Sequence, residues 1–121
     1  MNLVQMIGNL ARAVEIKQYG AEEDKVYGRT LIALSRHGKR EGTDYVRIVL
    51  WGRMALNAAR YLGKGSRVGI VGHFDSEFYE RKNGAGTGLD TEVVVDQIEY
   101  LSPPPRPGEP AGARDGKDGK R

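Results

Sequence analysis

The sequence contains no cysteine, only two histidines and one tryptophan, and no proline before residue 103. The missing cysteine excludes disulfides, thiolate metal sites and a thiol nucleophile, and it suits a reducing cytosol. Of the histidines, His73 stands in an extended stretch and reads as a packing or interface residue rather than a general base. Asp75 and Glu77 share a strand face but have no third ligand beside them, so no metal site is expected. No cofactor and no enzymatic activity are expected either. Long apolar runs are also missing: none approaches the roughly 20 residues of a membrane span. The start, MNLVQMIGNL, lacks the charged region and small-residue cleavage site of a signal peptide. A cytoplasmic location is the expectation.

The confinement of proline divides the chain. All five prolines fall between Pro103 and Pro110, inside the run SPPPRPGEPAGARDGKDGKR that begins at Ser102. That run has no large apolar residue and cannot bury enough surface to offset its ordering entropy. Residues 103–121 are therefore predicted to be a disordered tail. Residues 1–102 remain as one folded domain, enough for a single hydrophobic core. The chain carries 19 basic and 16 acidic residues, for a net +3. The tail has five cations and three carboxylates, or +2, which leaves +1 for the domain. Net charge says little about a polyanionic partner, and only the placement of the charges is informative.

Within the domain, apolar spacing predicts extended chain over Asn2–Ile7, ended by the turn-prone pair Gly8-Asn9, and again over Ala13–Gln18. Val26–Ser35 and Thr43–Trp51 read as the second and third strands, joined by the polar loop Arg36–Gly42. The period then changes. Met54, Ala55, Ala58, Ala59 and Leu62 form one stripe at helical spacing, with Gly63 as a C-terminal cap. Arg67–Tyr79 and Thr91–Leu101 return to strand character around the glycine-rich tip Arg81–Gly88. Phe74 and Phe78 alternate with His73, Asp75, Glu77 and Tyr79 and are assigned to the core. Three strands, one helix and two strands predict an all-β, five-stranded OB-fold barrel with its helix between strands three and four. An SH3-like barrel, the main structural rival, has no need of that helix.

The strand Thr43–Trp51 is the most informative segment. Side chains alternate faces along a strand, so Val46, Ile48 and Leu50 share one aliphatic face while Tyr45, Arg47, Val49 and Trp51 share the other. Aromatics interleaved with a cation, on a face the core does not need, form a platform on which unpaired bases can stack. An arginine there can meet phosphate or stack as a planar cation. The competing reading is that this face packs against another subunit or the barrel interior. Basic groups stand nearby in the chain: Arg36, Lys39 and Arg40 in one loop, Arg81 and Lys82 at the second hairpin, and Arg53 and Lys64 flanking the helix. Two basic hairpins beside one aromatic strand fit a groove that follows a nucleic-acid backbone.

Five segments, in order and at matching spacing, resemble bacterial single-stranded DNA-binding proteins. They are NLVQMIGNL at 2–10, TDYVRIVLWGR at 43–53, AARYLGKGSRV at 58–68, IVGH at 70–73 and TEVVVD at 91–96. The resemblance covers about residues 1–101. It implies an OB fold assembled as a homotetramer, with single-stranded DNA over aromatic and basic side chains, in replication, recombination or repair. The family's stacking positions fall on Tyr45, Trp51 and Tyr79, and its basic positions on Arg47, Arg53 and Lys64.

The chain departs from the family pattern in three places. The loop after the second strand, RHGKREG, offers only His37 where an aromatic often stands. Asp75 and Glu77 occupy positions that are often basic, where carboxylates would repel phosphate unless paired with cations. The family's acidic, apolar-ended tip has no counterpart in Asp118-Gly119-Lys120-Arg121. The expectation is an accessory member that does not recruit partners through such a tip. The alternative is an OB module for protein assembly or primosome restart, with weak affinity for DNA.

Overall fold

A computed structural model describes residues 1–21, 25–36, 38, 41–82 and 84–102. The loop residues His37, Lys39 and Arg40 and the predicted tail 103–121 lie outside the described residues. Among the described residues, six strands and one helix follow in chain order: β1 (Val4–Leu10), β2 (Glu15–Gln18), β3 (Val26–Ser35), β4 (Thr43–Trp51), α1 (Gly52–Tyr61), β5 (Arg67–Glu80) and β6 (Thr87–Tyr100). The sheet runs β1-β5-β6-β4-β3, a second pairing of β1 with β3 closes it, and β2 extends it beyond β3. The result is a closed five-stranded barrel with α1 between its third and fourth strands, the arrangement of an OB fold. No helix among the described residues is long and apolar enough to cross a membrane.

Closure depends on β1 changing partners. Val4–Asn9 pair with β5, and Asn9 and Leu10 pair with β3. The predicted turn at Gly8-Asn9 is therefore not a turn, and the strand runs straight through it. A β-carbon at Gly8 would run into the Ala33 carbonyl, so glycine serves there to let two strands approach closely.

The inward positions are those that alternation selects. Ile32, Ile48, Leu50, Val68, Ile70 and Val93 are buried, and Ala55 and Ala58 bring the helix against them. Each buried aliphatic side chain contributes about 1.5–3 kcal/mol of burial free energy. Thr30, also fully buried, donates its hydroxyl to the Arg12 carbonyl at 2.7 Å, which removes the cost of an unpaired polar group. The helix ends differently from expectation. Leu62 is extended, with its N–H on the Ala58 carbonyl at 3.0 Å, and the Gly63 N–H donates to Ser66 Oγ at 3.0 Å. The left-handed residue of this turn is Gly65, at φ 90°, rather than Gly63.

Phe74 and Phe78 overturn their core assignment, being 52 % and 77 % exposed. They have the inward parity, but β1 pairs with β5 only from Arg67 to Gly72. Beyond that point β5 is bonded to β6 alone, as a two-stranded arm that extends past the barrel. No opposing layer covers its faces, so Phe74, Phe78 and Leu89 stay in solvent. The side chain of Asn2 caps the start of the arm, donating to the Phe74 carbonyl and accepting from the Phe74 N–H.

Candidate nucleic-acid interface

The outer face of β4 carries Tyr45, Arg47 and Trp51, as its alternation requires. Tyr45 is 61 % exposed and Trp51 45 %. Val49, on the same face, is only 1 % exposed. It lies in the middle of the sheet, between Arg29 on β3 and Val94 on β6. Trp51 is the last residue of the strand and the N-cap of α1. The turn that follows requires Gly52 at φ 61°, a left-handed conformation that a side chain would strain. This sharp exit holds the indole at the junction of strand and helix.

Register brings in residues that strand-by-strand reading misses. Tyr27 lies directly opposite Trp51, and Lys17 of β2 lies opposite Tyr27. The Tyr27 and Trp51 rings are 5.1 Å apart, and Tyr19 closes the group at 6.1 Å from Tyr27 and 6.3 Å from Trp51, edge-on to the indole. The Arg29 guanidinium lies 5.0 Å from the Tyr27 ring centroid and Lys25 Nζ 5.8 Å from that of Tyr19. The available signal was the alternation of Tyr27 and Arg29 in β3. It gains meaning only once the register is known.

On the other side of β4 the face turns acidic. Asp75 and Glu77 of β5 lie opposite Glu92 and Asp90 of β6. These four carboxylates line an open groove of about 510 Å³ together with Arg29, Arg47 and Trp51. Both arginines are engaged. Arg29 donates from Nε to Glu92 at 3.0 Å, and Arg47 Nη1 approaches Asp90 at 3.9 Å. The bond from Glu92 is the main reason that the Arg29 guanidinium holds its proton more tightly than usual, against an opposing effect of burial. Asp75 and Glu77 form no ion pair with any described residue.

Tyr79 lies farther along the arm, opposite Gly88, on the same face as Glu77. A β-carbon at Gly88 would collide with the Tyr79 ring, so the ring lies across bare backbone, and Tyr79 is 45 % exposed. Arg81 and Lys82 are exposed at the tip, where the Arg81 N–H bonds the Gly86 carbonyl at 3.0 Å. Arg53 is exposed on the first turn of α1, next to the platform. Two other basic residues are placed elsewhere. Arg36 bonds Asp44 at 2.8 Å and shares a groove with Asn9 of β1 and Arg67. Lys64 lies in the turn that bonds to Leu10, at the β1 side of the barrel.

A closed OB barrel with an aromatic, arginine-bearing outer strand agrees with the family comparison. The model of the single-strand binding protein family matches residues 1–101. The chain belongs to that family. Single-stranded DNA-binding protein 3 of Clostridium acetobutylicum is 34 % identical over 104 residues, covering 84 % of this chain and 71 % of the relative. Single-stranded DNA-binding protein B of Bacillus subtilis is 30 % identical over 109 residues, covering 87 % and 94 %. Among solved structures, a mitochondrial single-stranded DNA-binding protein of S. cerevisiae shares the fold with a TM-score of 0.67 at 19 % identity, over 83 % of this chain and 94 % of that one. Membership accounts for the fold.

Proposed function

We propose that the protein binds single-stranded DNA with little sequence preference and protects it during replication, recombination or repair. Tyr45, Trp51 and Tyr79 stack bases, while Arg47, Arg53, Arg81 and Lys82 meet phosphates. The observation that carries this reading is the solvent-open indole of Trp51 beside Arg47 on the outer face of an OB barrel of this family. The relatives named above are single-stranded DNA-binding proteins, which supports the same reading. The face offers stacking surfaces and no helix to place in a groove, so it recognises unpaired bases by their π-faces rather than their edges. The test is a titration with oligo-dT at several salt concentrations. Trp51 emission should be quenched, and affinity should fall as salt rises, because bound phosphates release counterions. Binding with no change in emission and no salt dependence would refute it.

A homotetramer is part of the proposal. Two apolar surfaces support it: Phe74, Phe78 and Leu89 on the arm, and Ile7 and Leu101 on the β1 side. Apolar surface of this kind commonly marks association. Light scattering of the 13.3 kDa chain at micromolar concentration should report four copies, and a monomer would refute the assembly.

One observation favours a second reading, an assembly or restart module with weak DNA affinity. It is the pair of unneutralised carboxylates, Asp75 and Glu77, in the groove. The same titration discriminates, since a scaffold leaves Trp51 emission unchanged.

A further inference from the structure

The two ends of the platform carry different described side chains. Toward the arm, the groove beside Arg29 and Arg47 holds Asp75, Glu77, Asp90 and Glu92, and both arginines are already paired to carboxylates. A phosphodiester running that way meets more negative charge than positive. Toward β2 the face instead carries Tyr27, Tyr19, Lys17 and Lys25. Lys17 reaches only Glu15, at 3.6 Å, in a pair whose side chains are 61 % and 76 % exposed and which contributes little. The acidic residues Glu22, Glu23 and Asp24 lie outside the described residues.

We infer that Tyr19 and Tyr27 continue the stacking surface of Trp51, so that single-stranded nucleic acid leaves the barrel over β2 with its phosphates beside Lys17 and Lys25. The inference rests on the single-strand-binding reading above and adds to it a path, two stacking residues and two lysines.

Hydrogen bonds on either side of Tyr19 hold its backbone in place. The Tyr19 N–H bonds the Lys25 carbonyl at 2.9 Å, and Gln18 Nε2 bonds the Gly20 carbonyl at 2.7 Å, which closes the turn carrying the ring. Tyr19 is 58 % exposed although it touches two other rings. An edge contact with Trp51 orients it and leaves ring surface open to a base. Centroid separations of 5.1–6.3 Å bring together three aromatic rings, Trp51 at the end of β4, Tyr27 on β3 and Tyr19 just after β2. Lysines at the margin supply phosphate contacts that need no fixed geometry.

The test compares full-length wild type with Tyr19→Ala, Tyr27→Ala, Tyr19→Phe and Trp51→Ala in titrations with oligo-dT of increasing length. Tyr19→Ala and Tyr27→Ala should each weaken binding at least about fivefold on the longer oligomers, the loss of one stack, whereas Tyr19→Phe should bind like wild type. A direct reporter is the Tyr19→Trp, Trp51→Phe double variant, in which the only indole sits at the β2 end. Its emission should be quenched by oligo-dT. Tyr19 is surface-exposed and Tyr27 half-buried, so a thermal melt of each variant verifies that the barrel is kept. If wild type and Trp51→Ala behave as the stacking reading requires but Tyr19→Ala binds normally and the double variant is not quenched, the β2 path is wrong and the function stands. If wild type itself does not bind, the functional reading fails and this path with it.

Discussion

Trp51 and Ile48 lie three residues apart on one strand, yet their truncations should have opposite consequences. Ile48 is completely buried, so Ile48→Ala should lower stability by about 2–5 kcal/mol. Trp51→Ala should weaken oligo-dT binding by about 1–3 kcal/mol and leave the thermal transition in place. Loss of the transition in Trp51→Ala would reverse the assignment of faces. The salt bridges make a second statement at this scale. Glu92 occupies the guanidinium of Arg29, which would otherwise be available to phosphate. Glu92→Gln removes that competitor and one negative charge from the groove. Oligo-dT affinity should rise by about 0.5–1 kcal/mol, with a steeper salt dependence. Unchanged affinity and slope would mean that phosphates never reach Arg29.

Among the elements, the β5–β6 arm is where local pattern and environment part company. Its alternation is as regular as that of β4, but with only two strands there is no interior for the inward set to occupy. On this arm the Tyr79 ring lies over Gly88. A branched side chain there must push the ring off the sheet. Gly88→Val should therefore lower oligo-dT affinity as much as Tyr79→Ala does, while the melting temperature stays close to wild type. If Gly88→Val binds normally, the resting position of Tyr79 has no bearing on recognition. The β4–α1 junction behaves differently. Its sharp turn at Gly52 serves the core and the platform together, because it aims Trp51 outward and α1 inward.

For the molecule as a whole, charge is unevenly distributed. The domain carries +1 of the net +3, and residues 103–121 carry +2. Removing 103–121 should leave folding and assembly unchanged while weakening oligo-dT binding modestly and flattening its salt dependence. Circular dichroism, light scattering and the salt titration check the three parts. Loss of all binding would make that stretch the principal site instead. The apolar surfaces of the arm and the β1 side belong to this scale too, since no described element covers them.

The amino-acid sequence by itself determined the barrel elements and the orientation of β4. Val26–Ser35 and Thr43–Trp51 are strands with the very limits their patterns predict, and the helical stripe falls within one residue of α1. These features follow from two short-range periods of the backbone, and the ordered motifs over residues 1–101 place them in one family. Tertiary structure alone decided the rest. Whether Gly8 turns or passes through depends on β3 lying against it. Whether Phe74 is core depends on where β1 stops. The Arg29–Glu92 bond joins residues 63 apart in the chain, and the Tyr19, Tyr27 and Trp51 group needs the pairing of β3 with both β4 and β2. Alternation specifies which side of a strand a residue faces. Which residue it meets there is set by how the strands pair, and no local pattern carries that.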